Sequence, residues 1–136
     1  MTDIIDKFVS IWRAGDGVMS EVATLVPYVT INAPPDFEDA RPRCLMAGPS
    51  SVQAKVVGSL EPAVLTRTFV SSKPDGGASI LEAHRWALEN FEPLLSEETY
   101  YVAGKAEVLF RRLILPVTPR PGAYLLMTYS LPYQVH

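Results

Sequence analysis

The last third of the chain constrains the fold most. Thr99-Tyr100-Tyr101-Val102-Ala103 is dense in β-branched and aromatic residues and stops at Gly104. A longer run, residues 106–117, carries Val108-Leu109-Phe110 and Leu113-Ile114-Leu115 around Arg111-Arg112. Pro119-Arg120-Pro121-Gly122 then supplies turn chemistry, and residues 123–131 read as another strand. Strands joined by such short connections pair antiparallel with their sequence neighbours, so this stretch predicts a three-stranded meander. Everything earlier must cover that sheet.

A length of 136 residues suits one core rather than two. Residues 1–136 are therefore read as a single domain, with an N-terminal helix at about 3–13 and a core at about 25–133. With 48% hydrophobic and 20% charged residues, the composition is that of a folded protein. A net charge of −3, with Arg111-Arg112 and Arg41-Pro42-Arg43 as the basic clusters, builds no phosphate-binding stripe. No nucleic-acid partner is expected. No apolar run approaches the roughly 20 residues that cross a bilayer, and Asp3 and Asp6 break the pattern of a signal peptide. The expectation is a cytoplasmic protein with no membrane partner. One cysteine cannot form an internal disulfide.

Ile4, Ile5, Phe8, Ile11 and Trp12 recur at helical spacing, and Gly15-Asp16-Gly17 closes the helix they define. Such a stripe either docks on its own domain or dimerises through Phe8 and Trp12. Because the meander is apolar on both faces, a homodimer is expected. Residues 19–26 read as a short second helix with Ser20 as a cap. Tyr28-Val29-Thr30-Ile31 and Arg43-Cys44-Leu45-Met46-Ala47 read as strands, residues 52–57 as a short helix, and Phe69-Val70 as an extended piece. The acidic loop at 36–39 lacks the ligand spacing and turn glycine of a calcium site. Ser79-Ile80-Leu81-Glu82 is a capping box that starts the clearest helix, which ends before Pro93.

Catalysis is not expected. Gly48-Pro49-Ser50-Ser51-Val52 lacks the second glycine of a nucleophile elbow, and no Cys/His metal spacing or phosphate-cradling loop is present. Cys44 lies among apolar strand residues, where a thiol is buried and inert. Glu97-Glu98 reads as a solvated pair near a helix end. His84 falls in the middle of the apolar face of the 79–91 helix, either as a core histidine or as a ligand contact. Arg111 and Arg112 point to opposite sides of a strand, and pattern alone does not say which faces inward. The candidate ligand-binding residues are His84, Tyr101, Arg111 and Arg112, between that helix and the meander. A ligand with a carboxylate or carbonyl suits these donors.

The order of elements resembles a PAS-type sensory domain, in particular the stand-alone PAS-like proteins of proteobacteria. The resemblance rests on an early tryptophan-containing helix, here Phe8 to Arg13, and on an arginine-bearing strand from Arg43 into Gly48. It also rests on the late strand Phe110-Arg111-Arg112-Leu113-Ile114-Leu115-Pro116. It implies an α+β fold, with an antiparallel sheet of about five strands, helices on one face and an N-terminal amphipathic helix. It further implies sensing or protein interaction, with any small molecule held between helices and sheet and an output delivered to a partner protein. Flavin-binding light sensors of that family carry a reactive cysteine on a helix, which the strand position of Cys44 does not match. Haem-binding members place a histidine on the helix before the meander, as His84 is placed, but its distance from the next strand is long; the cofactor stays open. The competing architecture is a nuclear-transport-factor-like cone, which hosts small isomerases, dehydratases and ligand carriers and would use His84 or an inward carboxylate as an acid–base group.

Overall fold

The structure is a computed structural model and describes residues 3–34, 43–51, 60, 69–71, 78–102 and 107–135. The helix expected at 52–57, the acidic loop at 36–39 and His136 lie outside those residues. In chain order come α1 (Asp3–Ala14), a 3₁₀ segment (Met19–Tyr28), β1 (Thr30–Asn32), β2 (Cys44–Ala47) and β3 (Phe69–Ser71). These are followed by α2 (Ala78–Asn90), β4 (Leu94–Val102), β5 (Glu107–Val117) and β6 (Leu125–Val135). All strands join one antiparallel sheet in the order β2-β1-β6-β5-β4-β3. The expected meander is β4-β5-β6. The sheet has six strands rather than five, because the three-residue β3 adds an edge beside β4.

Local chemistry explains the boundaries. β4 begins at Leu94, directly after Pro93, and so takes in Glu97-Glu98, which the sequence assigns to a helix end. Leu94 lies opposite Ile114 and Glu97 opposite Arg111, and these cross-strand pairs outweigh the poor strand propensity of glutamate. Pro116 is tolerated inside β5 because β4 stops pairing at Ile114, leaving that edge open. The turn at 119–122 closes with Gly122 at φ 81° and the Ala123 amide donating to the Arg120 carbonyl at 3.1 Å.

Corrections arise near the N-terminus. Residues 19–28 form a 3₁₀ run with a non-helical Val22 and an internal Pro27, and Val18, not Ser20, occupies its N-cap. Proline removes a helix donor, so the run cannot settle into a regular α-helix. Tyr28 belongs to this run, and β1 starts only at Thr30. The Ser79 capping box shifts too, since α2 already includes Ala78 and Ser79.

Alternation along the strands gives the sheet two different faces. On one, Leu113, Leu115, Val117, Met127 and Tyr129 pack against Ile5, Phe8 and Trp12 of α1 and Val22 and Leu25 of the 3₁₀ segment. On the other, Ile114 and Leu126 pack against Ala87 of α2, with Leu88 and Leu94 beside them. Both apolar faces of the meander are thus covered within one chain.

Phe8 and Trp12, expected to contact a second copy, are each only 5% exposed. Burying an aromatic of this size contributes about 1.5–3 kcal/mol, and here the sheet supplies that burial. Trp12 also donates its indole N–H to the Pro116 carbonyl at 2.6 Å, fixing α1 to β5. The hinge after α1 is tight. Gly17 has φ 68°, and a Cβ there would lie 2.6 Å from the Phe91 ring.

Candidate functional site

The face beneath α2 carries an unusual layer. In phase with Ile114 and Leu126 come Arg112 on β5 and Thr128 and Ser130 on β6, all buried. Thr30 lies opposite Thr128, Asn32 opposite Leu126, and Cys44 opposite Asn32, so β1 and β2 extend the same row. Ser96 on β4 lies opposite Arg112. A polar seam therefore crosses β2, β1, β6, β5 and β4.

Thr30, Asn32, Thr128, Arg112 and Ser130 bond within the seam, as burial requires, whereas Ser96 Oγ is buried without a hydrogen-bond partner among the described residues. The hydroxyls of Thr30 and Thr128 share a short hydrogen bond. Asn32 Nδ2 donates to Thr128 Oγ1 at 3.4 Å, and Arg112 Nε donates to Ser130 Oγ at 3.3 Å. His84, 1% exposed, stands on the face of α2 that also carries the sheet-packed Ala87. Glu82, Trp86 and Glu89 of the same helix are exposed.

Of the four expected ligand-binding residues, the structure places Arg112 within this layer and His84 on the helix face turned toward the same side of the sheet. Arg112 is the inward arginine, 4% exposed. Arg111, half-buried, is in phase with Leu113 and so belongs to the α1 face, opposite Glu97. Tyr101 lies opposite Glu107 in the ladder, in phase with Arg111 rather than Arg112; its side chain lies outside the described residues. Thr30, Asn32, Thr128 and Ser130 escape a reading of sequence because threonine in a strand looks like ordinary β propensity. Their signal is positional: Thr128 and Ser130 alternate with apolar residues on β6, and the register sets Ser130 against Arg112.

Cys44 is a buried thiol on β2 that forms no disulfide, with Sγ 3.5 Å from the Met46 carbonyl. Burial pushes its pKa up from 9.0, against smaller opposing effects of a backbone hydrogen bond at Met46 and the Arg112 charge. This is the reverse of an activated nucleophile, and the strand position does not fit a helix-borne flavin-reactive cysteine. Among the described residues no group of three or more His, Cys, Asp or Glu side chains could hold a metal ion.

Burial likewise raises Tyr129 above 10.0. For both groups the folded chain holds its proton more tightly than the unfolded chain, so their contribution is complete below pH 9.0 and is lost as pH rises through the raised folded values. Thermal melts should therefore show Tm falling above that pH, and Tyr129→Phe should flatten the upper part of the fall. A parallel fall in the parent and the variant would remove Tyr129 from the account.

No helix among the described residues is long and apolar enough to cross a membrane. No family model matches the sequence, and no curated protein does. Among solved structures, the chain is similar to a fungal LOV domain photoreceptor, described with a conserved pathway that integrates blue-light and oxidative stress. The TM-score is 0.50 at 14% identity, over 77% of this chain and 73% of that one. LOV domains share the PAS architecture. The α+β sheet described above, with α2 laid on one face, is a PAS-like fold.

Proposed function

We propose that this chain is a sensory or protein-interaction domain that holds a small molecule between α2 and the sheet and reports its presence to a partner protein. The supporting observation is the buried polar seam, with Arg112 on β5 and His84 on α2. Each buried polar group left unmet costs about 1–3 kcal/mol, so an all-apolar layer would be simpler for stability alone. A seam of hydroxyls, an amide and a guanidinium on the sheet face that carries α2 offers convergent donors and acceptors in a dry layer. A ligand carrying a carboxylate or carbonyl matches that chemistry.

Native mass spectrometry with an absorption spectrum on freshly purified protein tests this reading, since it detects a retained metabolite, haem or flavin without prior choice. The parent is expected to carry a bound species. His84→Leu and Arg112→Leu are expected to lose it while keeping the circular dichroism of the parent. A parent that is free of any ligand, or variants that retain it fully, would sink the ligand reading and leave an interaction domain.

A further inference from the structure

A groove of about 430 Å³ lies on the other side of the sheet, between α1 and the 3₁₀ segment. Small-molecule sites measure about 300–1,000 Å³. Ile4, Phe8 and Ile11 share one stripe of α1 and form one wall, and Leu25 faces them. Phe8 and Leu25 are buried and make the floor, whereas Ile4 is 41% exposed at the rim. Tyr28, 47% exposed, stands over Phe8 with ring centroids 6.3 Å apart.

The charge of this lining is one-sided. Lys7 is its one charged side chain among the described residues, with Thr24 and Tyr28 adding hydroxyls. A lysine in this position lays its apolar stem along the wall and keeps its ammonium at the water. We propose that the groove binds a single-chain amphiphilic carboxylate, with its tail between α1 and the 3₁₀ segment and its head at Lys7. The apolar floor selects a tail, and the lone cation selects an anionic head. The volume is that of a small molecule rather than a docked helix. The site is separate from the seam and does not depend on it.

Titration calorimetry on the full chain tests this, with decanoate and decyltrimethylammonium compared below their micelle concentrations. Decanoate is expected to bind saturably in the submillimolar range and the cationic amphiphile more weakly. Lys7→Glu should weaken decanoate about tenfold, since it replaces attraction by repulsion at an exposed pair. Thr24→Trp, at an exposed position, should fill the groove and abolish binding with the fold intact, and His84→Leu should leave it unchanged. Equal binding of both amphiphiles overturns the proposal, as do no saturable binding, a Lys7→Glu effect under twofold, and sensitivity to His84→Leu instead. So does sedimentation showing a dimer that Ile4→Glu dissociates, because a second copy would then occupy the groove.

Discussion

Trp12→Ala should lower the free energy of unfolding by about 3–5 kcal/mol, the largest loss expected from any single truncation in α1. Two effects combine. The indole fills the core between α1 and the sheet, against Phe91 at a centroid distance of 5.5 Å. Its N–H also satisfies the Pro116 carbonyl, which alanine would leave buried with one bond fewer. Domains of this size are stable by about 5–15 kcal/mol in all, so the variant should be far closer to unfolding. Trp12→Phe keeps most of the volume and loses the hydrogen bond, and it should fall between alanine and the parent. Urea denaturation of the three proteins measures both steps. An alanine variant within about 1 kcal/mol of the parent would show that α1 is not fastened to the sheet as described.

Gly48→Ala should be the most damaging substitution by a single methyl group. The Cβ of an alanine there would collide with the carbonyl oxygen of Val26 and the carbonyl of Pro27. These are backbone atoms. They are held by their own bonds, since Ser50 donates to the Pro27 carbonyl at 2.8 Å and Gly48 itself donates to Val29 at 2.8 Å. No side chain can swing aside, so the strain should reach or exceed the upper end of the usual 1–3 kcal/mol for overpacking. Gly122→Ala is the control. That glycine has open space around it but φ 81°, and should cost only about 1–2 kcal/mol. If Gly122→Ala proves the more damaging in thermal melts, packing against the 3₁₀ segment is not what Gly48 provides.

Much of the architecture could be read from residue order because the informative parts are local. The β-branched runs, the Pro119-Arg120-Pro121-Gly122 turn and the stripe of α2 each announce themselves within a dozen residues. What escaped depends on distant partners. The stripe of α1 is visible in sequence, but whether Phe8 and Trp12 meet a second chain or the back of their own sheet depends on β5 and β6. Glu97 is exposed, as its charge leads one to expect, but its place inside a strand opposite Arg111 follows only from register. The choice between Arg111 and Arg112 also depends on register, because periodicity of two fixes that they diverge and not which one goes inward. The seam was hidden for the same reason: Thr30 and Thr128 become partners only when β1 docks beside β6.

The fastening of α1 has a consequence for the order in which the chain can fold. The Trp12–Pro116 bond spans 104 positions and the Thr30–Thr128 bond spans 98. The hairpin of β5 and β6, by contrast, is joined by a short turn and can zip from Gly122 outward. α1 is thus among the last elements to find its seat, because the surface that receives it is made from β5 and β6, about a hundred residues further along. Until then its apolar stripe has no home in the nascent protein. Loop closure over such spans makes folding slow relative to domains dominated by local contacts. The interval before β6 is complete is when this chain is most exposed to aggregation.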